Sequence, residues 1–316
     1  MTMKKTSPES SFEITQCRVC ESTNIQKVID LGVQPVANNL VKWPTVHENQ
    51  YPLFSVLCDD CKTFQLGYSV DKEELFATYK YSSSVSPVFI QHMADLSHFI
   101  KQTYNPYHVV EFGCNDGILL NELKKDEIYC TGIEPAANMA EFCRRAGHDV
   151  SRSWFESGFC VHHFLKNRQK ADVVVACNVF AHIHNLKDVL TNASRIMTDD
   201  GTMIVEVAHL LELIKNNYFD TIYHEHFFNW SLLGFVELAR QAGLYVEDVE
   251  KIPTHGGSLR IFLRKGEGTP SSRVVSVLEE EFAADLDKKE TYMKLQDRIM
   301  KAKKDLMRIL FDIRSQ

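Results

Sequence analysis

Three short segments of the sequence concentrate side chains that can transfer protons. They are residues 178–183, residues 223–228 and residues 255–260, and together they hold four histidines. An imidazole has an unperturbed pKa of roughly 6.5, so each histidine could remove a proton near neutral pH. A single histidine usually has a structural role, and the glycines of the third segment could simply form a hairpin. The clustering is therefore the strongest evidence for a proton-transfer site in the second segment.

The second segment places a phenol, a carboxylate and an imidazole within four residues, at Tyr223, Glu225 and His226. Such a set suits general acid–base catalysis, with the carboxylate fixing the tautomer of the imidazole and stabilising its protonated form. A zinc site built from the two histidines of this segment is the alternative, but they lack the i, i+4 spacing of a helical metal motif. We therefore predict a proton-transfer site.

A glycine-rich turn follows an apolar run within residues 109–117. This pattern predicts a strand, a tight turn and a helix, with Gly113 and Gly117 in the turn. Glycine lets a ligand approach the backbone because it has no Cβ, and a helix N-terminus offers free N–H groups. The alternative is a plain strand-to-helix connection with no ligand. We predict that Glu111, Gly113, Asn115 and Gly117 bind a cofactor.

A second acidic residue, Glu134, lies at the end of the next predicted strand and is followed by Pro135. In doubly wound α/β folds an acid at this position receives the ribose hydroxyls of a bound cofactor. A surface carboxylate is the alternative, but the glycine turn and this acid together favour a cofactor site. We assign Glu134, Pro135 and Asn178 to that site.

Four cysteines form two Cys-x-x-Cys pairs near the N-terminus, Cys17 with Cys20 and Cys58 with Cys61. Two such pairs can complete a tetrahedral four-sulfur site, which favours zinc. Four thiolates leave no open position, so we predict a structural metal that contributes to folding. Unrelated thiols or a redox pair are the alternatives, although neither pair opens a helix in a βαβ pattern. Between the pairs, the Gly and Pro residues within 30–40 predict a loop.

The composition is that of an ordinary globular protein, with 44% hydrophobic residues and a formal net charge of -7. The acidic balance argues against a non-specific binder of nucleic acids or of membrane surfaces. No apolar stretch is long enough for a secretory signal or a transmembrane helix. The nine cysteines are odd in number and five of them are scattered, which favours a reducing cytoplasm over a disulfide framework.

Strand and helix patterns alternate from residue 108 onward and predict about seven strands. Residues 171–176 are almost entirely apolar, as expected for a central parallel strand that is buried on both faces. Two late strands in succession predict an antiparallel hairpin. We expect an α/β fold with a Rossmann-like sheet. The predicted divisions are a disordered tail (1–12), a zinc-binding β domain (13–70), a linker with helices (71–107), the sheet domain (108–268) and C-terminal helices (269–316).

The motifs occur in an order that resembles one enzyme family. After the first Cys-x-x-Cys pair come LGVQPVANNL, the second pair, EFGCNDG, GIEP, NVFAH, YHEHF and HGGSLR. This order is similar to that of the nucleotide-sugar 3-C-methyltransferases of deoxysugar biosynthesis and extends over about residues 15–316. The resemblance implies a zinc-binding domain and a class I methyltransferase core that binds S-adenosyl-L-methionine. It also implies a dTDP-linked 4-keto-6-deoxysugar as the substrate.

In that family, C-methylation requires removal of a proton next to a ketone, because carbon becomes nucleophilic only as the enolate. The resemblance implies that His226 is the base for the C3 proton and that Glu111 lies near the charged methionyl end of the cofactor. The other active-site residues that it implies are Tyr223, Glu225, His182 and one of Tyr79 and Tyr81.

Family members continue into a further C-terminal domain that helps to hold the nucleotide, and we expect this chain to contain only its start. The helices predicted after residue 273 could instead support self-association as a homodimer. Two other functions stay open: an O- or N-methyltransferase acting on a small molecule, and a non-catalytic protein that uses the zinc module to bind a partner.

Overall fold

The computed structural model describes residues 11–38, 40–41, 43, 48–76 and 83–315. The first part of the chain is a small β module. Its strands are β1 (Phe12–Glu13), β2 (Ile25–Pro35), β3 (Gln50–Cys58), β4 (Phe64–Leu66) and β5 (Tyr68–Ser69). Strands β2, β3 and β4 form an antiparallel sheet in that order, and β1 pairs with β5.

Strand β2 corrects the loop predicted within residues 30–40. It pairs with β3 as far as Pro35, and its register shifts twice, between Lys27 and Ile29 and between Asp30 and Val33. Gly32 has a φ of +78° in the second irregularity, a conformation that glycine adopts without strain. These bulges allow an edge strand to contain the Gly and Pro residues that otherwise indicate a loop.

A seven-stranded sheet forms the centre of the described chain. Its strands are β6 (His108–Phe112), β7 (Tyr129–Ile133), β8 (Asp149–Ser151), β9 (Ala171–Cys177), β10 (Met197–Ala208), β11 (Leu244–Ile252) and β12 (Ser258–Lys265). The order is β11-β12-β10-β9-β6-β7-β8, and β12 is antiparallel to both of its neighbours. The predicted seven-stranded sheet with a late antiparallel hairpin is confirmed.

Helices cover both faces of this sheet, which explains why the central strand β9 is apolar except for Asp172 and is buried from Val173 to Ala176. The helices are α1 (Lys72–Phe76), α2 (Pro87–Tyr104), α3 (Ile118–Lys125), α4 (Ala137–Arg145), α5 (Gly158–Asn167), α6 (Leu186–Ile196), α7 (Leu210–Asn216), α8 (Leu232–Gln241), α9 (Ser272–Ala283) and α10 (Lys289–Arg314). Helices α5 and α7 are absent from the sequence-based prediction.

The β module packs directly on the sheet domain. The backbone N–H of Leu66 in β4 donates to the carbonyl of Phe227 at 2.8 Å, and Gln65 and Phe228 form an antiparallel bridge. The ring of Phe64 stacks on that of Tyr292 in α10 with centroids 5.0 Å apart. One buried hydrophobic cluster therefore includes the cysteines of the module, the sheet and the C-terminal helices.

The C-terminal helices are anchored through Glu281, a fully buried carboxylate in α9. Its oxygens accept hydrogen bonds from the backbone N–H groups of Leu232 at 2.7 Å and Leu233 at 2.9 Å, which open helix α8. A third contact joins it to Nε2 of His209 at 2.7 Å. Because helix N-termini carry free N–H groups and a partial positive charge, a carboxylate is well placed there.

The far end of α10 exposes apolar side chains, including Leu306, Met307 and Phe311. Self-association of these helices stays a prediction. No helix in the described ranges has both the length and the hydropathy needed to cross a membrane.

We expect Glu281→Ala to lower the free energy of unfolding by about 3 kcal/mol, because buried donors lose their shared acceptor. Urea unfolding followed by circular dichroism measures this change. Glu279→Ala, at an exposed position of the same helix, is the control and should stay within about 0.5 kcal/mol of the wild type. Equal stability of the two variants would contradict the anchoring role.

Candidate functional site

A cavity of about 460 Å³ opens at the carboxyl ends of strands β6, β9 and β10. Ligands of open α/β sheets bind at this edge, where the strand order reverses. Most of the predicted site residues line the cavity: Glu111, Gly113, Asn115, Glu134, Pro135, Asn178, His182, Tyr223, Glu225 and His226. The structure therefore brings the predicted cofactor loop and the predicted proton-transfer segment into one space.

The glycine turn at the end of β6 requires Gly113. This residue has a φ of +66°, and a Cβ atom there would lie 2.4 Å from Cγ2 of Val179. The next turn residue, Asn115, has a φ of 47° and donates its backbone N–H to the Glu134 carboxylate at 2.9 Å. The backbone of the turn therefore borders the cavity directly at Gly113, where no side chain lies between them.

Gly117 has a different environment. It precedes α3 with a φ of +79°, and a Cβ atom there would lie 3.1 Å from Sγ of Cys143. It is not among the residues that line the cavity. The structure therefore gives Gly117 a packing role, and its cofactor contact stays a prediction.

Glu134 makes hydrogen bonds within the protein that its predicted ribose contact does not require. Besides Asn115, its carboxylate accepts the backbone N–H of Ala136 at 2.8 Å, so it ties the glycine turn to the start of α4. Burial raises its pKa, although these two hydrogen bonds lower it. The carboxylate still lines the cavity, and a ribose contact stays a prediction.

Two buried polar atoms face the cavity without a hydrogen-bond partner among the described residues: Oε2 of Glu111 and Nδ2 of Asn178. Burial raises the pKa of Glu111 well above its usual range, and the nearby Cys143, Glu134 and Asp116 raise it further. Unsatisfied buried polar groups cost free energy. A ligand with an ammonium group and an acceptor would satisfy both atoms and would restore the charge of Glu111.

The short turn before α2 is fastened to the glycine loop. The backbone N–H groups of Ser83 and Ser84 donate to the side chains of Asn115 at 3.1 Å and Asp116 at 2.9 Å. Ser83 lines the cavity. The predicted site residues Tyr79 and Tyr81 lie just before this turn, outside the described residues.

Tyr223 and His226, for which the sequence predicts proton transfer, lie next to each other in the cavity. The Tyr223 hydroxyl lies 2.9 Å from Nε2 of His226, and Nδ1 of His226 lies 2.8 Å from the carbonyl oxygen of Thr221. A carbonyl oxygen can only accept, so we assign the proton to Nδ1 and a lone pair to Nε2. Burial lowers the pKa of His226 to about 4, which keeps this base neutral at physiological pH.

His182 lies beside this pair. Its ring centroid is 4.8 Å from that of His226, and the rings meet edge to face. Burial, together with the neighbouring His226, lowers the pKa of His182 to about 3. Two adjacent neutral imidazoles can exchange hydrogen bonds with a substrate without introducing positive charge.

Glu225 does not hold His226 as the sequence suggested. Its Oε1 atom accepts a hydrogen bond from Nδ2 of Asn38 at 2.7 Å, while the tautomer of His226 is set by the Thr221 carbonyl. Burial raises the pKa of Glu225, and the bond from Asn38 lowers it. The sequence analysis missed Asn38, although the residue lies within the LGVQPVANNL motif; it also lines the cavity.

The residues of the HGGSLR motif lie in two places, the cavity and the protein interior. His255 lines the cavity, whereas Arg260 donates from Nε to buried Glu206 at 2.7 Å. The second oxygen of Glu206 lies 2.7 Å from Nε2 of His92 in α2. These contacts to the Glu206 carboxylate, which the sequence analysis missed, join β10, β12 and α2.

His224, the remaining histidine of the second segment, faces the β module. Its Nε2 atom lies 3.3 Å from the carbonyl oxygen of Tyr51, and the ring packs edge to face against the Tyr51 ring. Burial lowers its pKa. His224 is therefore part of the junction between the module and the sheet domain.

The four predicted metal ligands converge in the β module. The Sγ atoms of Cys17, Cys20, Cys58 and Cys61 all lie within 4.8 Å of one another, with Cys17 and Cys61 at 3.5 Å and Cys20 and Cys58 at 3.6 Å. Tetrahedral zinc with Zn–S bonds of about 2.3 Å places sulfurs about 3.8 Å apart. The donor set and its spacing therefore fit zinc.

A hydrogen-bonded shell supports this cluster. Nε2 of Gln65 donates to Sγ of Cys17 at 3.0 Å, and Oε1 of Gln65 accepts the backbone N–H of Arg18 at 3.0 Å. The guanidinium of Arg18 lies over the ring of Phe227, 5.6 Å from its centroid. Such outer contacts orient the ligands of metal sites.

The sequence matches three described families in succession. Residues 17–76 match a "Putative zinc binding domain", residues 88–249 match a "Methyltransferase domain", and residues 253–316 match a "C-methyltransferase C-terminal domain". The second match alone covers more than half of the chain. The chain belongs to the methyltransferase family.

The chain is 34% identical over 258 residues to the C-methyltransferase NovU of Streptomyces niveus, an alignment that covers 79% of the chain and 60% of NovU. The chain therefore spans less than two thirds of the length of this curated relative.

Among solved structures, the mitomycin 7-O-methyltransferase MmcR matches with a TM-score of 0.45 at 16% identity, over 57% of this chain and 54% of MmcR. The magnesium protoporphyrin IX methyltransferase of Synechocystis, solved with bound SAH, matches with a TM-score of 0.45 at 12% identity, over 57% of this chain and 89% of that one.

We expect the protein to bind one zinc ion per chain and Cys58→Ser to lose most of it, because three thiolates leave the tetrahedral shell incomplete. Metal analysis of the purified protein by mass spectrometry measures this. Cys160→Ser, which removes a thiol outside the cluster, is the control. Wild-type zinc content in the Cys58 variant would rule out the four-sulfur site.

Proposed function

We propose that this protein transfers a methyl group from S-adenosyl-L-methionine to a carbon atom next to the ketone of a nucleotide-linked 4-keto-deoxysugar. The observation that carries the proposal is the single cavity, which has a cofactor-type glycine turn at one end and a neutral, buried base at the other. A base is needed because carbon attacks a methyl group only after its proton has been removed.

The cofactor end of the cavity suits S-adenosyl-L-methionine. Glu111 and Asn178 would bind the amino-acid portion of the cofactor. Because Gly113 has no Cβ, the cofactor could lie against the backbone of the turn. When bound, this cofactor supplies an electrophilic methyl group on a sulfonium. Membership of the methyltransferase family supports this assignment.

At the reaction end, His226 is the proposed base and Nε2 its basic atom. The Thr221 carbonyl holds the opposite nitrogen protonated, so the lone pair points toward Tyr223 and the cavity. As Nε2 takes the C3 proton, the electron pair of the C–H bond moves into the enolate. Nε2 has a single lone pair, so the Tyr223 hydroxyl leaves it before this transfer and can then donate to the enolate oxygen, while His182 lies beside His226.

A carbon acceptor is supported by two of the comparisons. The C-terminal residues match a C-methyltransferase domain, and the curated relative is named a C-methyltransferase. The sugar and its nucleotide are supported by the order of motifs that resembles the 3-C-methyltransferases. The same motifs support a small-molecule substrate, and the free cysteines support a reducing, cytoplasmic setting.

A deuterium label at C3 of a nucleotide-linked 4-keto-deoxysugar tests the reaction. We expect a product that has gained one methyl group and lost the deuterium to solvent, because the C3–H bond must break before the new C–C bond forms. Mass spectrometry of the product measures both changes. A methylated product that retains the label would instead indicate methylation of oxygen or nitrogen.

We expect His226→Ala to reduce turnover by about 10²- to 10⁴-fold, the usual contribution of a general base, with little change in the affinity for S-adenosyl-L-methionine. Steady-state kinetics and calorimetry measure the two quantities. His162→Ala, on an exposed part of α5, is the control. Wild-type turnover in the His226 variant would refute its role.

The pH profile gives an independent check. Because the pKa of His226 is lowered to about 4, the base stays deprotonated as the pH falls from 8 to 5.5. The wild-type kcat/KM should therefore show no histidine-like decline in this range. A base with an ordinary pKa near 6.5 would lose about tenfold.

A further inference from the structure

The β module contributes one side chain to the cavity of the sheet domain. Asn38 lies just beyond the end of β2 and is exposed, yet it is one of the residues that line the cavity. Its Nδ2 atom donates to Oε1 of Glu225 at 2.7 Å across the boundary between the two parts of the chain. The contact places a side chain of the module one residue away from the proposed base.

The two members of this pair differ in their surroundings. Glu225 is only 1% exposed, so its carboxylate is removed from solvent except where the cavity reaches it. Asn38 is open to solvent at the edge of the cavity. A buried carboxylate normally needs several hydrogen-bond donors, and this pair can receive a further one from a bound molecule.

The chemistry of the pair decides which part of the substrate it can contact. A carboxylate next to the enolate oxygen would oppose the negative charge that develops there, so the pair cannot lie on the ketone side of the reacting carbon. A hydroxyl group both donates and accepts, and it matches a carboxylate oxygen beside an amide. On a 4-keto sugar that reacts at C3, the neighbour away from the ketone is C2.

We propose that Asn38 and Glu225 together bind the C2 hydroxyl of the sugar and so determine which keto-sugars this enzyme accepts. The inference rests on the proposed function. It gives the β module a part in substrate selection in addition to its metal site. A pair that only tethered the module to the sheet domain would affect all substrates equally.

The test compares two nucleotide-linked 4-keto-6-deoxysugars, one with the C2 hydroxyl and one without it. We expect Asn38→Ala to lower kcat/KM about 10- to 100-fold for the hydroxylated sugar, mainly through KM, because a hydrogen bond to a charged group is lost from the site. For the 2-deoxy sugar the change should stay within about twofold. Calorimetry should show unchanged affinity for S-adenosyl-L-methionine.

A matched control is present in the same module. Asn49 also donates its side-chain amide to a glutamate, Oε1 of Glu74, at 3.4 Å, but neither residue lines the cavity. Asn49→Ala should leave kcat/KM unchanged for both sugars. Asn38→Asp, which keeps the shape of the side chain but removes the amide donor, should reproduce the substrate-dependent loss if Asn38→Ala fails to fold.

Equal losses on the two sugars, or no loss on either, would overturn the role of the pair while leaving the proposed function intact. Failure of the wild-type enzyme to methylate either sugar would overturn the proposed function, and this inference with it. Thermal unfolding of each variant identifies a loss that comes from the fold.

Discussion

The backbone junction between β4 and residues 227–229 supports the rest of the site. Leu66 donates to the Phe227 carbonyl, and the side chain of the adjacent Gln65 donates to Sγ of Cys17. The segment that contains Tyr223 and His226 is thereby bound to β4, the strand that follows the second Cys-x-x-Cys pair. A segment without regular secondary structure of its own gains a fixed position from this pairing. The zinc site therefore acts on the candidate active site through a short chain of direct contacts.

Exclusion of water then sets the chemistry of the cavity. Burial keeps His226 and His182 neutral, and it leaves Glu111 and Asn178 with hydrogen-bonding capacity that a ligand can use. In a low dielectric these groups interact more strongly with a substrate than they would in water. The cost of burying them is offset by the large apolar core that the module, the sheet and the C-terminal helices share.

The sequence identified the elements whose signal is local. Apolar runs predicted the strands of the sheet, and the Cys-x-x-Cys spacing predicted the four ligands that the structure gathers around one point. Strand β2 was mistaken for a loop because its Gly and Pro residues lie at bulges and at a strand end, which only its pairing with β3 explains. Helices α5 and α7 were missed; both begin without a side-chain cap hydrogen bond, and most of the stability of a helix in a protein comes from tertiary packing.

By itself, the sequence determined the fold class, the cluster of four cysteines, the glycine turn and the segment that contains the proposed base, because each depends on residue types at fixed short spacings. Only the tertiary structure decided which atoms meet. In the structure Glu225 accepts a hydrogen bond from Asn38, and a backbone carbonyl sets the tautomer of His226. Arg260 and His92 both contact one buried carboxylate, that of Glu206. These partners lie far apart along the chain, and a hydrogen bond depends on distances and directions that residue order does not contain.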